Sequence, residues 1–289
     1  MLTLADVFEA LTHTRPAAPQ IISEAAIDSR QVIPAGMFIA LAGEKTDGHE
    51  FVQDAINRGA QVILIEKDIS DDIPVIDLVN GYLPQRLPDF DKAFAIKVEN
   101  CVKGLHRIAT FWRGKLNIKV IGITGSVGKS TTKELVAEVL SHKYRIIKNS
   151  GNLNNEIGLP LTVLKITENH QRAVLEMGFY VAGEILELCE IAQPAVGVIT
   201  NVGTVHAERA GSLQAIMDGK AELVEYLDET GVAILNYDDP LVRPMAQRTK
   251  ARVFYYGIDP QADVWADRIE GLGLQGIRFR IHHKNDHLF

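Results

Sequence analysis

Cysteine is scarce in this chain. Cys101 and Cys189 are the only two in 289 residues, they lie far apart, and neither belongs to a C-x-x-C pair. That excludes a disulfide framework and a cysteine metal centre, and the pair is expected to be reduced thiols of a cytoplasmic protein. Long apolar runs are missing as well. The first residues, MLTLADVFEALTHTRP, lack the basic start and extended apolar core of a secretion signal, and no run approaches membrane-spanning length, so no membrane insertion is expected. Positive charge is in deficit: 30 Lys and Arg stand against 37 Asp and Glu, a formal net charge of -7. A nucleic-acid-coating surface is thereby disfavoured, and an anionic ligand has to find a local basic pocket. Internal repeats and low-complexity segments are absent too.

What is present is apolar material for a packed core, 46% of residues, in a length that suggests about two domains. Leu2, Leu4, Val7, Phe8 and Leu11 fit one face of a short amphipathic helix. Up to about residue 98, GMFIAL (36–41) and AQVILIEK (60–67) have the composition of buried strands. Between them HEFVQDAINRG carries Phe51, Val52, Ala55 and Ile56 at helical spacing. Residues 68–92, rich in Asp and Pro, predict loop and sheet edge. From about residue 99 the pattern turns to regular alternation. The apolar segments KVIGIT, YRIIKN, RAVLEMG, AVGVITNVG, GVAILN and RVFYYG are separated by helical stretches, which predicts an α/β fold whose mainly parallel sheet has helices on both faces. Val264 to His283, with GLGLQG between two alternating runs, predicts a hairpin.

The most specific segment is KVIGITGSVGKSTTKE (119–134), an apolar strand entering a glycine-rich turn and then a helix. Small residues at Gly125 and Gly128 allow successive backbone N–H groups to close around phosphate oxygens, with the helix N-terminus adding positive dipole. Lys129 would reach the outer phosphates and Ser130 a Mg²⁺ ion. The strict pattern G-x-x-x-x-G-K-[ST] requires glycine at 123, where Ile123 stands. The pattern that fits is T-G-x-x-G-K-[ST]-T, carried by Thr124, Gly125, Ser126, Val127, Gly128, Lys129, Ser130 and Thr131. A glycine-rich turn before an ordinary helix is the plainer alternative.

Ligands of such sheets collect at the carboxyl ends of the strands, and polar residues follow nearly every strand here. Glu176 ends an apolar run beside the phosphate loop, where a carboxylate can hold a phosphate-bridging Mg²⁺ or can simply face solvent. His206 is a candidate second metal ligand or a surface histidine. Lys220 falls within the apolar stripe Leu213, Ile216, Leu223, Leu227 of a helix. Either its amine snorkels to water, or it is buried, its basicity is lowered, and it can take up CO₂ as a carbamate that ligates metal. Asn152, Asn154 and Asn155 crowd a loop that suits phosphate and substrate, although asparagine is also a common turn residue. Asn236, Asp238 and Asp239 are candidates for adenine or ribose contacts or for a helix N-cap.

These motifs together resemble the ATP-dependent Mur ligases of bacterial cell-wall synthesis. DSR (28–30), PAGMFIAL and DGHEF (47–51) look like the family's UDP-sugar-binding domain, placed at 1–98. TGSVGKSTTKE, GNLNNEIGLPLTVL, EMG, TNVGTVH, the Lys220 segment and NYDDP follow its central ATPase domain in order, placed at 99–289. The GNLNN segment, and EMGFYVAGEI where the sister ligase for the third amino acid has Ser-Ser-His, point to the branch that adds D-Ala-D-Ala to UDP-N-acetylmuramoyl-tripeptide (UDP-MurNAc-tripeptide). Ala207 and Ala210 depart from the family's larger apolar residues, and Ser130 replaces a commoner threonine while keeping the hydroxyl.

The resemblance implies that ATP phosphorylates the terminal carboxylate of the UDP-linked peptide and that the amine of D-Ala-D-Ala attacks the acyl phosphate. It implies Lys129 with two Mg²⁺ ions, one held by Ser130 and Glu176 and the other organised by His206 and carbamylated Lys220. Asn155, Asn236 and Asp239 are expected at the nucleotide, and Asp28, Ser29, Arg30, Asp47, His49 and Asn154 at the substrate. The family's third, closing domain would begin about where the sequence stops, so a partial ligase is expected, inactive alone and monomeric. Another Mur-type or folylpolyglutamate ligase and a non-catalytic nucleotide-binding remnant are the alternatives. A generic GTPase or kinase is disfavoured because no guanine-specificity motif is recognisable.

Overall fold

The computed structural model describes residues 1–43, 46–70, 72–203, 212–283 and 286–288. They form two compact units, Met1–Asn117 with Glu156–Asn169, and Ile118–Asn155 with His170–Phe289.

The first unit opens with α1 (Leu4–Thr12). Its N-terminus is a capping box: the Thr3 hydroxyl accepts the Asp6 N–H, and the Asp6 carboxylate accepts the Thr3 N–H at 2.8 Å. The predicted face Leu2, Leu4, Val7, Phe8 and Leu11 is buried. The sheet comprises β1 (Ala25–Ala26), β2 (Gly36–Ile39), β3 (Ala60–Ile65), β4 (Val75–Asp77) and β5 (Phe94–Lys97), all parallel, in the order β1-β2-β3-β5-β4. Alternation sends Phe38, Ile63, Ile65 and Ala95 to one face, against Val52 and Ala55 of α2 (Val52–Asn57). The other face meets α1, where Phe8, Phe90 and Phe94 form an aromatic cluster. The expected helix over HEFVQDAINRG begins later than its periodicity suggests. Gly48–Phe51 is a 3-10 turn, so Phe51 leaves the apolar stripe and is exposed.

The second unit carries β6 (Lys119–Thr124), α4 (Lys129–Ser141), β7 (Ile146–Lys148), β8 (Arg172–Glu176), α6 (Glu184–Ala192), β9 (Val196–Ile199), α7 (Leu213–Tyr226), β10 (Val232–Asn236) and β11 (Arg252–Gly257). Its nine-stranded sheet has the order β14-β13-β12-β11-β10-β9-β6-β8-β7. Strands β6 to β12 are parallel, and β12 (Val264–Gly271), β13 (Ile277–His283) and β14 (Asp286–Leu288) close it antiparallel, so the predicted hairpin is present. Ile121, Ile123, Val174 and Val198 pack on Ala137 of α4. Residues of opposite parity face α7, where Leu223 lies against Gly122 and Gly197. Helices therefore cover both faces, as the near-continuous apolar strands require. Because the chain leaves β6 toward β7 and β8 on one side and toward β9 on the other, the carboxyl end of β6 lies at the switch of strand order.

The units divide at Asn117 instead of near residue 98. The buried face of α3 (Cys101–Gly114), with Leu105, Ile108 and Trp112, packs on α1 and β3 of the first unit. α5 (Gly158–Leu164), every residue of which is buried, packs on α3 and β1 of the same unit and is locked by the Trp112 indole donating to the Ile166 carbonyl at 2.9 Å. A helix following a strand pattern is not thereby part of that strand's domain; its apolar face decides. Cys101 and Cys189 are free and buried, and burial raises both thiols, Cys101 to about 12. Among the described residues no helix is long and apolar enough to cross a membrane.

Asp6 gives the first unit a testable pH signature. Burial pushes its carboxyl up, but hydrogen bonds from Lys115, Thr3 and Arg15 outweigh that and hold it well below the ordinary range. A carboxyl depressed on folding stabilises above its unfolded pKa of about 4, and that contribution is lost as pH falls below it. Asp6→Ala is expected to cost about 2 kcal/mol at neutral pH, from the lost cap and charged hydrogen bonds, and to flatten the acid limb of a urea-midpoint profile. A variant as acid-sensitive as the wild type would contradict this.

Candidate functional site

The turn after β6 is built for an anion. Gly125 has φ 148° and Gly128 φ 86°, conformations that disfavour any other residue. A side chain at Gly125 is also excluded by space, since its Cβ would lie 1.9 Å from Thr200 Oγ1. The loop is braced from the neighbouring strand. Ser126 N–H donates to the Asn201 carbonyl, Val127 N–H to Asn201 Oδ1, and Thr200 Oγ1 and Asn201 Nδ2 both donate to the Val127 carbonyl. Ser126 Oγ exchanges hydrogen bonds with Gly203, and Thr124 Oγ1 donates to the Met177 carbonyl. Gly128 to Thr131 are different: among the described residues nothing accepts their N–H groups, at the start of a 13-residue helix. These converging donors, with the helix dipole behind them, form an anion cradle. Lys129 folds over it, Nζ donating to the Gly125 carbonyl at 2.8 Å and the Ser126 carbonyl at 3.3 Å. Burial lowers its pKa, opposed by the Glu176 charge.

Glu176 ends β8 beside this cradle and is 2% exposed, so the solvent-facing alternative is excluded. Ser130 Oγ donates to Oε2 and Asn154 Nδ2 to Oε1, each at 2.8 Å. A buried carboxylate and a hydroxyl in contact are the hard oxygen donors that suit a Mg²⁺-type cation. Asn155 is half-buried in the same loop. No group of three or more His, Cys, Asp or Glu side chains placed for a metal occurs among the described residues.

Lys220, on α7, is 3% exposed and does not snorkel. Its amine lies 4.9 Å from the centre of the Phe179 ring and has no carboxylate partner among the described residues. Burial, and then the charge of Lys129, bring its pKa down to about 7. Asn236 and Asp239 are engaged in the scaffold. Asn236 Nδ2 donates to the Thr200 carbonyl, while Asp239 accepts from the N–H groups of Leu241, Val242 and Val202. Asp238 likewise holds the N–H groups of Ile258 and Asp259, so both aspartates brace loops, and the 3-10 helix that follows has Val242 at its N-cap and no side-chain cap. His206 lies outside the described residues.

In the first unit Asp28, Ser29 and Arg30 line a cavity of about 750 Å³ together with Phe51, Asp54 and Arg58. Arg30 grips Asp28 with Nε and Nη2 and holds its carboxyl below the usual range. Asp47 and His49 stand behind this cavity. His49 Nδ1 is 2.6 Å from Asp47 Oδ1, and Nε2 accepts the Glu66 N–H at 3.1 Å, which makes the ring a neutral Nδ1–H donor with both nitrogens used. His49 thus fixes the turn that presents Gly48 and Phe51. Periodicity assigned Phe51 to the core, and Asp54 and Arg58 carried no sequence signal.

Fold and site together define an α/β nucleotide-binding class of the phosphate-loop type. The Mur ligase middle domain matches residues 123–288, and the catalytic domain of the Mur ligase family matches residues 22–85. The chain belongs to the Mur ligase family. It is 37% identical over 264 residues to the UDP-N-acetylmuramoyl-tripeptide--D-alanyl-D-alanine ligase of Mycobacterium tuberculosis, covering 88% of this chain and 50% of that protein. MurF from Acinetobacter baumannii superposes with a TM-score of 0.80 at 30% identity, over 99% of this chain and 59% of that one. MurF from Thermotoga maritima, solved in complex with ADP, gives 0.76 at 29% identity, over 92% and 57%. The chain spans about half the length of the curated relatives it matches.

Packing around Lys220 supplies a test of sign. Gly→Ala inside a helix ordinarily stabilises by about 1 kcal/mol. At Gly219 the new Cβ would lie 1.9 Å from Phe179 Cε2, a buried ring, and overpacking of this kind costs about 1–3 kcal/mol. Gly219→Ala is therefore expected to lower the urea midpoint, and Phe179→Ala in the same chain to relieve part of the loss. An increase in the midpoint would show that α7 does not pack as described.

Proposed function

We propose that this chain provides the nucleotide and UDP-substrate sites of an ATP-dependent ligase that joins D-Ala-D-Ala to UDP-MurNAc-tripeptide in peptidoglycan precursor synthesis. The observation that carries the reading is the conjunction of N–H groups at Gly128 to Thr131, without an acceptor among the described residues, with the contact between Ser130 and the buried Glu176. The names of its relatives support the choice of substrates, and the ADP complex of one relative supports the nucleotide.

In this reading the γ-phosphoryl group of ATP passes to the terminal carboxylate of the tripeptide. The amine of D-Ala-D-Ala then adds to the acyl carbon, the C–O bond to phosphate breaks, and the amine proton leaves to solvent or base. The loop N–H groups and Lys129 hold the transferring phosphates and offset their negative charge without reorganisation. Ser130 and Glu176 fit one Mg²⁺, which would neutralise phosphate charge when bound. His206 and Lys220 are assigned to a second ion. The buried, neutral-tending Lys220 amine suits carbamate formation with CO₂, with loss of one proton. The Asp28, Ser29 and Arg30 cavity, with Phe51 and Arg58, is assigned to the UDP end, its arginines facing the diphosphate. Asp47 and His49 shape its wall, and Asn154 acts through Glu176.

Titration calorimetry of the 289-residue chain with ATP, GTP and UDP-MurNAc-tripeptide tests the assignment. ATP with Mg²⁺ and the tripeptide are each expected to bind, GTP at least about tenfold more weakly than ATP, and Lys129→Ala to lose ATP by about a hundredfold, the scale of one or two charged phosphate contacts. Equal affinity for GTP, or binding of UDP-MurNAc-dipeptide in preference to tripeptide, would refute the reading. With ¹³CO₂, a carbamate resonance is expected in the wild type and absent from Lys220→Ala; no such resonance in the wild type would remove the carbamate from the scheme.

A further inference from the structure

Lys133 lies in the phosphate-loop segment just beyond the residues read there as phosphate or metal contacts, and it is among the most buried side chains of the second unit, 1% exposed. It lies one helical turn after Lys129 and three residues after Ser130, so α4 presents all three on adjoining positions. A buried ammonium requires close anionic or carbonyl partners. Nζ donates to the Asn149 carbonyl at 2.8 Å, and stands 3.3 Å from Glu134 Oε1 and 3.9 Å from Glu176 Oε2.

Asn149 extends the connection. It is fully buried just after β7, and its side chain grips the main chain of Glu176 on both sides. Oδ1 accepts the Glu176 N–H, while Nδ2 donates to the carbonyls of Glu176 and Leu153, the latter in the Asn-rich loop. Asn154 of that loop then holds Glu176 Oε1, and Ser130 holds Oε2. The contacts close a ring from α4 through the end of β7 to the end of β8 and back to α4. Lys133 is its only cation, and its amine bonds to no atom of the phosphate loop.

We propose that Lys133 is a positioning residue that fixes Glu176 against Ser130, so that their oxygens are placed for a divalent cation and the nucleotide phosphates before either binds. This rests on the nucleotide reading above. A merely structural lysine would, when removed, lower stability and weaken every ligand alike. A positioning lysine affects the metal-dependent part of binding selectively.

The test is titration of the chain with ATP in Mg²⁺ and in EDTA for the wild type, Lys133→Met, Lys133→Gln and the exposed control Lys148→Met, with urea midpoints for each. Lys133→Met is expected to lose at least about tenfold of the Mg²⁺-dependent gain in ATP affinity while binding in EDTA stays within about twofold. Lys133→Gln, which keeps a donor for the Asn149 carbonyl, is expected to recover part of the gain, and Lys148→Met to match the wild type. An unchanged Mg²⁺ gain in folded Lys133→Met would overturn the proposal, as would equal losses with and without metal. Should Lys133→Met fail to fold, Lys133→Gln decides by the same two criteria. A wild type without Mg²⁺-dependent ATP binding would overturn the nucleotide reading itself, and this proposal with it.

Discussion

A carboxylate removed from water at the end of a parallel strand is stable only where its oxygens are engaged, and Glu176 is the point at which the second unit meets that demand. Ser130 reaches it from α4, Asn154 from the loop after β7, and Asn149 fixes its main chain. Three side chains from two elements, α4 and the loop after β7, therefore converge on one residue. The alternative, an apolar side chain there, would pack as well and need none of them. A buried acid with polar neighbours on every side contributes little to stability by itself. Its burial is better understood as the placement of charge next to a cradle of N–H donors.

Close approach is the second constraint. Gly125 brings the loop backbone against Thr200, and the loop is then held from β9 by Asn201. The cradle is rigid because it is stitched to a neighbouring strand, and its open donors are those of the helix that begins at Lys129. Preorganisation of this kind is what stabilises charge in phosphoryl transfer. On α7, Gly219 admits the Phe179 ring, over which Lys220 lies. The amine is thus held in an apolar setting near a second cation, and both conditions favour its neutral form.

Much of this was legible in the sequence because it depends on local pattern. The six apolar runs became β6 to β11, the turn at Gly125 and Gly128 was required by its own glycines, and the stripe around Lys220 left burial and snorkelling as its two readings, of which burial is the one found. Lys133 precedes Val136 and Ala137 by three and four residues, a spacing that places it on the same face of α4. Other features depended on tertiary packing. Nothing local states that α3 and α5 belong to the first unit, since any apolar face suits either core. The 3-10 turn at Gly48–Phe51 moved Phe51 out of a stripe that periodicity had drawn through it. His49 was expected at the substrate; both its ring nitrogens are engaged, with Asp47 and Glu66, and it holds the turn whose Gly48 and Phe51 line the cavity.

The central claim is that Ser130 and Glu176, held by their neighbours, form the metal and phosphate side of a nucleotide site. Its most direct test is a crystal structure of the chain grown with a non-hydrolysable ATP analogue and Mn²⁺, read by anomalous scattering. The account predicts the triphosphate over Gly125 to Thr131 and a Mn²⁺ peak between the Ser130 hydroxyl and the Glu176 carboxylate. A nucleotide bound elsewhere, or a metal peak that Glu176 does not touch, would contradict it.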